Sequence, residues 1–188
     1  LSSANLQAFT TDQVKILTTS QVRSLNASSL SGLSTAAIQV LATTQVGAFS
    51  STQWGSLTSI NVKALTTDQI QALTSTQLTS FSLINLQAIE TADIQALTTK
   101  QMSQLSASNL SNFTTDQIHS LTTDQIRVLT TAQLGGLNSR NLQALTTDQI
   151  QILTTSQVRS LTSSAFSGLS TAAINIMTTS QVRALTSS

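Results

Sequence analysis

A chain of 188 residues is long enough for one domain with a substantial core, and 39% of it is apolar, enough to fold rather than stay disordered. Eight Lys and Arg nearly cancel seven Asp and Glu, and only 8% of residues are charged, which leaves no field to steer nucleic acid or an anionic membrane. The absence of cysteine excludes disulfides, thiolate metal sites and cysteine nucleophiles, and no run approaches the ~18 apolar residues of a membrane span.

From residue 2 to residue 185 the chain divides into 23 octads without insertion or deletion. The first, residues 2–9, already has an apolar fifth and eighth position in Leu6 and Phe9, and the second, residues 10–17, repeats them as Val14 and Leu17. Residues 66–73 give the commonest form, T-T-D-Q-I-Q-A-L, and residues 146–153 nearly repeat it. Both apolar columns run unbroken to Val182 and Leu185. All five Phe, both Met and Trp54 fall in these columns, and every charged residue falls outside them. A core of two columns follows from the pattern alone.

Each octad carries the signals of a helix start. Thr or Ser at position one and Gln at position four, as in Thr66 and Gln69, form a capping box. The Leu before the cap and the Ile or Val at position five occupy the hydrophobic-staple positions. Asp12, Asp68, Asp116, Asp124 and Asp148 add negative charge at position three, where it meets the positive helix end. Another cap arrives eight residues later, so each helix is under two turns and depends on packing. A β-solenoid fits less well, because the apolar spacing alternates three and five rather than two. Gln69→Glu at the cap is expected to be nearly neutral, and a large loss of stability there would contradict the capping assignment.

A slower rhythm lies above the octad. Asn replaces Gln at position four at Asn5, Asn61, Asn85, Asn109 and Asn141, and the irregular octads 26–33 and 162–169 complete a series with a mean step of about 3.3 octads. Residues 10–41 also recur, slightly changed, at 146–177, an offset of 17 octads. The expected fold is therefore an all-α solenoid of short capped helices, one per octad, with about 3.4 octads or roughly 27 residues per coil. Residues 1–188 read as a single solenoid and as a fragment of a longer repeat protein. Coils stacked at ~8–10 Å would give a rod roughly 55–70 Å long. Positions five and eight point to the axis, and positions one to three and six point out. The Asn residues suggest either a ladder between coils or tightened turns.

Catalytic, cofactor and metal residues are all read as none. His119 stands alone at an outward position, with only Asp116 within one helical turn. One His and one carboxylate fall short of a zinc site. The Asp residues occur singly, without the clustered oxygens calcium needs. Lys15, Arg23, Lys63, Arg127, Arg159 and Arg183 share position six, but weak net charge and buried aromatics argue for solubility rather than nucleic-acid binding. No Ser-His-Asp constellation can be assembled around one His. Gly32, Gly47, Gly55, Gly135, Gly136 and Gly168 at positions six and seven suggest close coil-to-coil approach.

The unit T-T-x-Q-[I/V]-x-x-L resembles octad tracts in very large bacterial surface or secreted proteins of adhesin-like type. The resemblance spans residues 2–185 and brings no catalytic motif, so it implies a non-enzymatic, extracellular rod or filament segment. It implies self-association or neighbouring repeats as partners, with cell-surface or matrix glycans as further candidates and no nucleic acid. A Thr-rich surface for glycan or ice, and a repeat code for nucleic acid or peptide, are the alternatives.

Overall fold

In a computed structural model, which describes residues 2–185, every octad forms one helical element. Leu1 and Thr186 to Ser188 lie outside the described residues. There are 22 α-helices and one 3-10 helix, with no strand among the described residues. The α-helices are four to seven residues long, from Ser163–Phe166 to Thr179–Leu185.

One octad shows why the helix starts and stops where it does. Thr66 is extended (φ −84°, ψ 159°), its hydroxyl accepts from the Gln69 amide at 3.3 Å, and its own amide donates to Gln69 Oε1 at 2.9 Å. This reciprocal pair satisfies two of the amides that a helix start leaves open. The Ile70 amide then donates to the Thr66 carbonyl (3.0 Å), and the Leu73 amide closes a tighter turn on the Ile70 carbonyl (3.2 Å). Leu73 returns to extended geometry (φ −66°, ψ 136°), which delivers the chain to the next cap. Among the described residues none has a positive φ, so the exit needs no left-handed residue.

The structure forms two compact units, Leu1–Ala96 and Leu97–Ser188. In the first, helix Thr43–Ala48 packs between Thr19–Ser24 and Thr67–Ala72; in the second, Ala107–Ser111 packs on Thr131–Gly135 and Thr155–Arg159 on Thr179–Leu185. Each of these partners is three octads away, whereas side-chain bonds reach four octads back, as from Gln45 to Val14 and Leu17. A coil therefore holds more than three octads and fewer than four. Contacts between coils such as Gln71 with Ala96, Lys63 with Glu90 and Asn61 with Leu33 span 25, 27 and 28 residues, in keeping with a coil of roughly 27 residues.

Positions five and eight form the core. Ile38, Ile70, Ile94, Ile118 and Ile126 are fully buried, and the position-eight Leu residues of interior coils are nearly so. Full burial of one such side chain contributes about 1.5–3 kcal/mol, so the core is a sum of many similar small steps. Trp54 is the largest fully buried side chain, set edge-on to Phe49 and tilted against Phe81, both at 5.4 Å between ring centres. The two-column core was too narrow an expectation, since position four is buried as well: Gln53, Gln69, Gln117 and Gln149 are all 2–3% exposed.

Candidate functional site

The position-four side chain is where the structure departs most from a reading of Gln as a cap. Its oxygen does cap, but its amide nitrogen crosses to the preceding coil. Gln45 Nε2 donates to the carbonyls of Val14 (3.0 Å) and Leu17 (2.7 Å), Gln53 to Val22 (3.0 Å) and Leu25 (2.9 Å), and Gln69 to Ile38 (2.8 Å) and Leu41 (2.7 Å). The second unit repeats the arrangement, with Gln133 on Met102 (2.8 Å) and Leu105 (2.7 Å) and Gln181 on Ile150 (2.9 Å) and Leu153 (2.8 Å). Each Gln thus forms a rung that satisfies exposed carbonyls at the end of one helix while closing the start of another. The cap assigned to Gln69 is present, but its second set of bonds is a physical reason to expect a loss from Gln69→Glu rather than a nearly neutral change. Glutamate has no N–H for the Ile38 and Leu41 carbonyls, and its charge would be buried beside two carbonyl oxygens.

Asn does the same over a shorter reach. Asn61 Nδ2 donates to Leu33 (2.7 Å), Asn85 to Leu57 (2.8 Å) and Asn141 to Phe113 (3.1 Å), in each case the carbonyl 28 residues earlier. The ladder between coils is therefore real, but it runs from amide to main chain rather than from amide to stacked amide. Asn61 Oδ1 still receives the cap hydroxyl of Thr58 (2.7 Å), so the two roles considered for Asn are combined. At Asn138, the cap residue is itself an amide, and Asn141 Oδ1 is buried without a partner. At Ala42 only the return half of the box exists, the Ala42 amide donating to Gln45 Oε1 at 2.7 Å, because alanine has no acceptor.

One octad replaces both members of the box with acids. Residues 90–97 read E-T-A-D-I-Q-A-L, with Glu90 at the cap and Asp93 at the rung position. The Asp93 amide turns back on the Glu90 carbonyl (3.0 Å), Glu90 pairs with Lys63 at 3.7 Å, and Asp93 is buried at 6% exposure. Its carboxylate accepts from the Thr67 hydroxyl at 2.9 Å across the coil boundary. Burial raises its pKa, opposed by the Thr67 bond and reinforced by the Glu90 charge. In the sequence, the loss of T-x-x-Q at both cap positions is the one signal that sets Asp93 apart from the other aspartates.

The remaining candidates carry little. His119 is exposed on helix Thr115–Ser120, and among the described residues no three of His, Asp and Glu gather into a metal-binding group. Lys15 meets Asp12 at 3.6 Å and Arg127 meets Asp124 at 3.9 Å, both between exposed side chains, which makes them weak. An open groove lined by Ser3, Gln7, Ser31, Gly32, Leu33 and Ser34 has no charge in it. Ile60 and Ile84 are each 67% exposed, on helices Ser59–Lys63 and Leu83–Ala88, which pack together. Tight coil approach holds at Gly32 and Gly168, where an added Cβ would meet the Ser3 and Ser139 carbonyl oxygens at 2.0 Å and 2.5 Å. It does not hold at Gly47, where nothing lies within 4 Å.

Comparison with known families agrees with this repeat architecture. A model of the ALTTAQ repeat family matches twice, over residues 86–123 and 120–155. This is a repeat-containing protein. No curated protein gives a significant match to the chain. Among the described residues, no helix is long and apolar enough to cross a membrane.

Proposed function

We propose that the chain is a structural or adhesive rod segment of a bacterial extracellular protein, rather than an enzyme. The observation that carries this reading is the partner of the rung: Gln donates to main-chain carbonyls, which any coil offers whatever its side chains. A further coil can therefore be added without a new interface, as in other solenoids where each repeat contacts only its neighbours. The extracellular and adhesin-like setting rests on the resemblance of the T-T-x-Q-[I/V]-x-x-L octad.

Self-association end to end is part of the proposal. It rests on the uniformity of the stack: an interior rung such as Gln69 takes main-chain carbonyls as its partners, and the buried apolar column repeats in every octad, so a second copy can offer the bonds that a neighbouring coil offers. A glycan- or ice-binding Thr array has less support, because position-one hydroxyls such as Thr66 and Thr154 already accept from the helix.

Electron microscopy and small-angle scattering test the rod. Elongated particles that lengthen in proportion to added octads are expected, and particles that stay compact as octads are added would reject it. Sedimentation at rising concentration tests the association. Growth in mass is the expected result, and a mass independent of concentration would remove the self-assembly half of the proposal.

A further inference from the structure

Most rungs work at any ordinary pH, because an amide N–H does not titrate. Asp93 is the exception. Its position in the register is the one from which Asn61 and Asn85 reach the carbonyl 28 residues earlier, and for Asp93 that carbonyl belongs to Leu65. An aspartate has the length of an asparagine but no N–H, so ionised Asp93 brings the Leu65 carbonyl no donor. Taking up one proton from solvent gives it an O–H where asparagine carries its N–H, and its other oxygen remains free to accept from Thr67.

We propose that Asp93 is a proton-operated rung: protonated, it joins its coil to the preceding one as asparagine does, and ionised, it loosens that joint. Three features of the site support this. Asp93 is buried at 6% exposure, so its charged form is poorly solvated. The hydroxyl that Asn61 receives from its own cap, Thr58, has no counterpart at Glu90, and Thr67 of the preceding coil supplies one to Asp93 instead at 2.9 Å. The Glu90 charge in its own octad favours the neutral form. Helix Thr67–Ala72, packed against Thr91–Ala96, brings only the exposed Asp68, and Lys63 is engaged by Glu90.

The sign follows from proton linkage. Burial, the largest cause, raises the Asp93 pKa above 3.8, so the folded chain holds a proton that the unfolded chain has lost. The stabilisation is fully present below the unfolded pKa and is lost as pH rises through the folded one. The result is one pH-sensitive joint in a stack whose amide rungs are indifferent to pH.

The test combines two readouts on the full chain. Carbon-detected NMR of the Asp93 side-chain carboxyl should titrate above the ordinary aspartate range. Thermal unfolding of the wild type should fall by several degrees as pH rises through that titration. Asp93→Asn, which carries the N–H permanently, should lose this fall and melt higher than the wild type at neutral pH. Glu90→Gln separates the neighbour, and should leave the Asp93 titration in place but shift it toward the ordinary value. Parallel pH profiles for wild type and Asp93→Asn, or a carboxyl that titrates in the ordinary range, would overturn the proposal. The NMR titration needs only the wild-type protein, so the question stays decidable if the variant does not fold.

Discussion

Residues 10–13 and 66–69 are the same tetrapeptide, T-T-D-Q, and their helices begin identically. The Thr10 and Thr66 amides both donate to a Gln oxygen at 2.9 Å, and the return bonds are 3.2 Å and 3.3 Å. Yet Gln13 is exposed and makes no rung, while Gln69 is 2% exposed and donates to Ile38 and Leu41. The difference shows that the helix is a local product of four residues, whereas the value of its Gln depends on whether a coil lies beneath it. An exposed cap contributes about 1 kcal/mol. A buried rung adds the cost of leaving the Leu41 carbonyl without its donor, about 1–3 kcal/mol if nothing replaces it; the Ile38 carbonyl still accepts from the Leu41 amide.

Substitutions at matched positions in the first coil and the interior would break or sharpen that comparison. The largest effect is expected in the apolar column. Leu121→Asp places a charge at a site 4% exposed and should cost more than about 4 kcal/mol by denaturant unfolding. Leu17→Asp, in the same column but half-buried, should cost clearly less; equal losses would mean that the column rather than the coil sets the burial. Next comes the rung. Gln69→Glu should lose about 3 kcal/mol and Gln13→Glu less than about 0.5 kcal/mol, and a neutral Gln69→Glu would return Gln to the role of a cap alone.

Glycine gives a third pair. Gly32→Ala forces a Cβ onto the Ser3 carbonyl oxygen and should destabilise by about 1–3 kcal/mol. Gly47→Ala meets open space and should stabilise by about 0.4–1 kcal/mol through the unfolded chain. Calorimetry of the two variants would separate close approach from mere helix weakening. The smallest expected effect is a repair: Ala42 is exposed and lacks a cap acceptor, so Ala42→Thr should raise stability by about 1 kcal/mol. No gain in a thermal melt would mean that the stacked rung already holds Gln45 as firmly as a full box does.

Much of the fold was legible before any coordinates, and the particular residues show why. Thr66 and Gln69 are three apart, so the bonds that begin the helix are written in adjacent letters. Leu6 through Val182 and Phe9 through Leu185 hold the octad phase, and the spacing of the Asn octads implied a coil between three and four octads. The rung was not legible, because Gln69 and Leu41 are separated by 28 residues and nothing local distinguishes a glutamine that caps from one that also crosses. The same holds for Gly32 and Gly47, which occupy neighbouring positions near the ends of their octads and face different surroundings.

By itself, then, the sequence determined the short helices, their caps and the two apolar columns, since each rests on bonds or periodicities that span a few residues. Only the tertiary structure decided which amides become rungs, which glycines are obligatory and why burial raises the Asp93 pKa. The physical reason is the non-integral coil. With more than three and fewer than four octads per turn, each helix packs on one octad and bonds to another, and only the stacked coils determine which carbonyl an amide meets.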